Sequence, residues 1–160
     1  MKKIITLSLF AFLLLAFLSS CNKDENPVAP DSIKSLTMSH WGVDWSKGLV
    51  GSEGNDVNDA DGETIGWCPN GSGTGSGIWY RSRTDKIYRI SAGELSGVTS
   101  IDTTKWDNDV CDTPLANGDL WAAQANDGFV VFKVVELPTD PNDYQWKVKV
   151  QYKFSATTNF

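Results

Sequence analysis

The sequence predicts an all-β protein, an antiparallel β-sandwich or open barrel of about seven to nine strands. Three observations lead there. Apolar and polar residues alternate with a period of two along most of the chain beyond residue 33, the spacing that sends successive side chains to opposite faces of a sheet. Gly, Asn, Asp and Ser punctuate the chain at short intervals, as turns between strands require. No window carries a convincing apolar stripe of period 3.6, so no amphipathic helix is expected.

The chain opens on a segment that does not belong to the fold. Met1-Lys2-Lys3 is positive, residues 4–18 are apolar apart from Thr6 and Ser8, and Ser19 and Ser20 are small. That is the grammar of a secretory signal, too short for a membrane span. Leu18-Ser19-Ser20-Cys21 resembles the bacterial lipobox, in which the cysteine is lipidated and becomes the new N-terminus. Cys21-Asn22-Lys23-Asp24-Glu25 resembles the lipoprotein export signal of the Bacteroidota, which implies an outer-membrane lipoprotein facing outward. Asp31-Ser32-Ile33 resembles the O-glycosylation site of that phylum. The expected organisation is therefore a signal peptide over 1–20, a lipidated cysteine and Pro-bearing tether over 21–32, and one domain over 33–160. The membrane, reached through the lipid anchor, is its first expected partner.

Removing residues 1–20 takes away two lysines and no acid, so twelve Lys plus Arg stand against twenty Asp plus Glu, a formal charge of −8. An acidic chain without basic clusters is a poor binder of nucleic acid, because phosphate contacts need Lys and Arg to displace counterions. With Cys21 lipidated, Cys68 and Cys111 remain, and an even pair in an oxidising compartment is expected to close a disulfide. On the chain-entropy account such a bridge would stabilise the fold by roughly 4 kcal/mol.

Within the domain, residues 36–45, 78–83, 86–90 and 98–103 read as short strands. Residues 119–125, 129–137 and 144–154 form a C-terminal meander. Its first turn is Asn126-Asp127-Gly128 and its second loop is 138–143. The last strand is the clearest: Tyr144, Trp146, Val148, Val150, Tyr152 and Phe154 alternate with Gln145, Lys147, Lys149, Gln151 and Lys153, one face buried and one wet. Residues 129–137 are nearly continuous in apolar side chains, as in a strand covered on both faces. Between Gly51 and Gly77, eight of twenty-seven residues are glycine, which reads as one long loop region.

That loop holds the first chemical candidate. Asp56, Asp59, Asp61 and Glu63 lie close together in "EGNDVNDADGE", and hard oxygen ligands suit calcium. The register fits no EF-hand or dockerin loop, and a solvated acidic loop is the competing reading. "NGSGTGSG", 70–77, lacks the Lys-Ser/Thr of a phosphate loop and the Gly-x-Ser-x-Gly of a nucleophile elbow. His40 is the sole histidine and nothing in the sequence sets a nucleophile beside it. A binding protein is expected rather than an enzyme. Seven tryptophans supply flat faces for sugar rings with an N–H as a polar handle. Trp121 and Trp146, inside the meander, are expected in the core. Trp67, Trp79 and Trp106, near loops, are the candidate ligand contacts, with an extracellular glycan as the ligand class.

"GDLWAAQANDGFVVFKVVEL" with the strand after it, and "WGVDWSKGLVGSEGNDV", resemble segments of HmuY-like and related small Bacteroidota lipoproteins. That resemblance implies a β-rich surface protein handling haem through two axial His or Met ligands. This chain departs from the pattern at that point. Met38 and His40 are the single methionine and histidine beyond the leader, and two residues apart on one strand they would point the same way, unable to grip both faces of a haem. A calcium-set structural or adhesive surface protein is the further alternative.

Overall fold

The computed structural model describes residues 32–67, 77–90, 93–107, 113–140 and 144–160. The leader, Cys21 and the tether to residue 31, and the proposed Cys68–Cys111 bridge, lie outside the described residues. The fold is all-β, with nine strands among the described residues: β1 Lys34–Met38, β2 Val43–Asp44, β3 Leu49–Val50, β4 Gly62–Ile65, β5 Trp79–Ser82, β6 Ile87–Ile90, β7 Leu120–Gln124, β8 Phe129–Glu136 and β9 Val148–Ser155. They form two antiparallel sheets, ordered β1-β9-β8-β7-β6 and β3-β2-β4-β5.

The expected meander is the centre of the larger sheet. β7 pairs with β8 from Leu120↔Lys133 to Gln124↔Phe129, and β8 with β9 from Phe129↔Ser155 onward. The Asn126-Asp127-Gly128 turn closes on an Ala125 N–H to Gly128 C=O bond of 2.9 Å. A bulge between Val134 and Glu136 leaves Val135 exposed. Inward, Trp121, Val130, Phe132, Val134, Val150 and Tyr152 meet Val43, Trp45 and Tyr80 of the smaller sheet side in one core. Trp45 stacks on Phe132 at 5.4 Å, and its indole N–H donates to the Tyr80 hydroxyl at 2.8 Å. Burial of that hydroxyl raises the Tyr80 pKa far above the ordinary phenol value.

The larger sheet is covered on its other face as well. Leu120, Ala122 and Val131 pack under Leu95 and Ile101 from the segment 93–107, with Trp106 and Phe160 at the margin. This accounts for the nearly continuous apolar composition of β8, broken within the strand by Lys133.

Five expectations change. Residues 36–45 are not one strand: β1 ends at Met38, and the turn 39–42 carries the chain into the other sheet as β2. Residues 98–103 form no strand beyond a single bridge, Ser100↔Asn159; short 3₁₀ turns at Leu95–Gly97 and Thr103–Lys105 flank them. The final strand begins at Val148, not Tyr144, so Tyr144 and Trp146 lie outside it. Its wet face is not wholly wet: Lys153 is buried, and its ammonium donates to the Val98 carbonyl at 3.0 Å, where 93–107 covers the sheet. The long glycine-rich loop also contains a buried strand, β4.

Candidate functional site

Glu63 on β4 stands directly across from Arg81 on β5. Tyr80, one residue before Arg81, points into the core, so Arg81 and Glu63 occupy the outward face of the smaller sheet by the period-two alternation of strands. The Glu63 side chain is 5 % exposed and accepts a hydrogen bond from the Arg81 guanidinium. Arg83, two residues further, stands 3.2 Å from the same carboxylate oxygen. His40 Nδ1 lies 3.5 Å from the other oxygen. The three cationic or ionisable partners are each more than a third exposed, at 38, 51 and 37 %. The acid is thus underneath and the guanidinium edges face solvent.

Local backbone bonds explain how His40 arrives there. In the turn 39–42 the Ser39 hydroxyl donates to the Gly51 carbonyl and accepts from the Trp41 N–H, while Ser39 C=O accepts from Thr64 N–H of β4. His40 N–H donates to the Gln145 carbonyl at 3.1 Å. Trp146, in a left-handed conformation at φ 42°, turns its carbonyl to the Thr64 hydroxyl at 2.7 Å. Its indole lies against Gly66, where a Cβ would fall 2.1 Å from the indole nitrogen. The His40 ring then meets Trp146 edge-on at 5.0 Å and Trp41 tilted at 5.6 Å. Trp67 follows Gly66 in the chain and is 56 % exposed.

The result is an acid, two guanidiniums and an imidazole bordered by indoles. Within it, the buried atoms His40 Nδ1, Trp41 Nε1 and Arg81 Nε have no hydrogen-bond partner among the described residues. Such an arrangement can offer N–H donors to the oxygens of a ligand and indole faces to its apolar side.

Of the tryptophans singled out in the sequence, Trp67 is exposed, next in the chain to the Gly66 that the Trp146 indole lies against. Trp79 is instead buried at 3 % exposure: among the described residues β5 is an edge strand paired only with β4, and the chain at Gly77 lies against the indole. Trp106 is half-buried and stacked parallel to Phe129 at 6.5 Å beside Tyr88, over the larger sheet and away from Glu63. Trp41 and Trp146 take the places expected of Trp79 and Trp106. No strand pattern pointed to Trp41, and Trp146 was assigned to the core because the alternation of β9 extends past its true start.

The calcium candidates are dispersed. Glu63 belongs to the arginine cluster, Asp61 accepts from the backbone N–H groups of Trp45 and Asn126 at 2.8 and 2.7 Å, and Asp56 is exposed. Asp44, Lys47, Asp59, Asp61, Asn126 and Asp127 do line a cleft of about 420 Å³. There Asp44 is bound by Ser46 and Lys47, and among the described residues no group of three or more His, Cys, Asp or Glu is arranged to hold a metal ion. The haem pair separates too. Met38 is fully buried in the core, whereas His40 sits beyond the end of β1, so the two do not share a strand face. Comparison with protein-family models, curated proteins and solved structures gives no match. Fold and cluster define a class only: a two-sheet all-β protein with an arginine-and-indole surface site.

Proposed function

We propose that the chain is a lipid-anchored protein of the outer membrane, exposed on the cell surface through Cys21, and that it binds an extracellular glycan without transforming it. The observation that carries the ligand reading is the grouping of Trp41 and Trp146 about His40, which shares Glu63 with Arg81 and Arg83, with the exposed Trp67 next in the chain to the Gly66 that the Trp146 indole lies against. Saccharides present C–H faces that stack on indoles and hydroxyls that pair with planar charged groups, and this cluster carries both kinds of partner. The imidazole faces a carboxylate held by two arginines, and the hydroxyl of the preceding Ser39 is engaged by the Gly51 carbonyl and the Trp41 N–H, so neither is set up as a base and nucleophile pair.

The test is a panel of neutral and acidic oligosaccharides read by tryptophan fluorescence of the purified chain. At least one member should produce a saturable change that Trp67→Ala and Trp146→Ala each weaken. A panel without effect, or an effect untouched by both substitutions, rejects the reading. The anchor is tested separately: Cys21→Ala should release the protein from the membrane fraction, and protease added to intact cells should degrade the wild-type protein.

A further inference from the structure

Resting on that reading, we propose that the site is specific for acidic saccharides, and that the Arg81, Arg83 and His40 edge receives the carboxylate of a uronate-type sugar while the indoles take its ring. Charge count carries the argument. Every other ion pair among the described residues joins one cation to one acid: Lys47 to Asp44, Arg89 to Asp119, Lys105 to Asp102, Lys133 to Glu94. Glu63 alone is shared, by Arg81, Arg83 and His40. Two guanidiniums against one carboxylate leave a positive charge in a chain whose net charge is −6, and burial of the acid turns that surplus outward.

Donor count agrees. A guanidinium has five N–H groups in a fixed fork, and Glu63 engages one terminal nitrogen each of Arg81 and Arg83 through one oxygen. Arg81 Nε and Trp41 Nε1 have no acceptor among the described residues, but both atoms are buried, so the donors a ligand can reach are the remaining terminal N–H groups of the partly exposed Arg81 and Arg83. Unused donors beside a surplus positive charge match an oxyanion, which arginine binds in a bidentate manner. The indoles at the margin favour an oxyanion carried on a ring with an apolar face.

Oligosaccharides of polygalacturonate, alginate and hyaluronate are titrated into the purified chain by calorimetry, each beside its carboxyl-reduced counterpart, with polyglutamate as a polyanion that is not a sugar. At least one uronate should bind about tenfold or more tighter than its reduced form, and raising NaCl from about 50 to about 500 mM should weaken it, since exposed charges are screened. Arg83→Gln should remove most of that preference while leaving the melting temperature within a few degrees. Equal binding of acid and reduced forms overturns the acidic specificity and leaves the glycan reading standing. Polyglutamate binding as tightly as the uronates overturns the saccharide reading itself, as does the absence of binding to every sugar.

Discussion

Asp61 and Asp44 line one cleft, and their surroundings shift the two carboxyl pKa values in opposite directions. Asp61 is pushed above the ordinary carboxylate value by burial, which the hydrogen bonds from Asn126 and Trp45 N–H only partly offset. Asp44 also feels burial, but the Lys47 ammonium and N–H and the Ser46 hydroxyl together outweigh it and hold its carboxyl below the ordinary 3.8. Asp44 therefore contributes stability that is present above the ordinary value and is lost as pH falls through its lowered one. Asp61 does the reverse, since its ionised form is the disfavoured one in the fold, and acid relieves it. In an acid series below about pH 4, Asp44→Asn should lose less of its melting temperature than the wild type; an identical loss would refute the assignment. Asp61→Asn replaces an acceptor with an NH₂ group facing a backbone N–H. A buried donor left unpaired costs about 1–3 kcal/mol, so urea unfolding should show a loss of that size. No sequence pattern announces such a role: four closely spaced acids read as hard metal ligands, and only the partners Trp45 and Asn126, sixteen and sixty-five residues away, reveal a backbone clamp.

At the scale of elements, legibility followed how far each strand depends on its own sequence. β7, β8 and β9 were readable because strong alternation or continuous apolar composition and one Asn-Asp-Gly turn set them locally. β4 was not, because "GETI" has neither alternation nor bulk. Gly62 is there for close approach: a Cβ would lie 2.2 Å from the Tyr80 hydroxyl. Glu63 lies buried against Arg81, Arg83 and His40, all from other parts of the chain. The candidate site inherits this obscurity, since it is assembled from a turn, a strand edge and the approach to β9, each ordinary by itself. Its most vulnerable joint is Gly66 against Trp146. Gly66→Ala puts a methyl inside contact distance of the indole, so Trp146 must move and His40 loses the edge it rests on. The expected outcome is altered tryptophan emission and weakened glycan binding, with far-UV circular dichroism unchanged because the core residues are not touched. Unchanged emission and binding together would mean that Trp146 does not define the site.

Whether the two sheets act as one body depends on the aromatic group between them. Phe132 of β8 is fully buried, stacked on Trp45 at 5.4 Å and edge-on to Tyr80 at 5.3 Å, and Trp45 also meets Tyr152 at 5.1 Å. Tyr80 is fixed in the smaller sheet by its β4 pairing, so these rings join sheets that share no strand. The site lies on the outer face of the smaller sheet, yet Thr64 and Trp146 tie it to the approach to β9 of the larger one. Relative movement of the sheets would therefore pull His40 and Trp146 away from Glu63. Truncating a buried phenylalanine costs about 3–5 kcal/mol, from lost transfer energy and the cavity left behind. Phe132→Ala should lower the unfolding free energy by that amount, read as a lower urea midpoint with the slope unchanged, and Phe132→Leu by less. In both variants tryptophan emission and circular dichroism should report a single coincident transition, as a cooperative two-sheet domain requires. Two separated transitions would show that each sheet holds together alone, and the site would then rest on the smaller sheet without support from the larger.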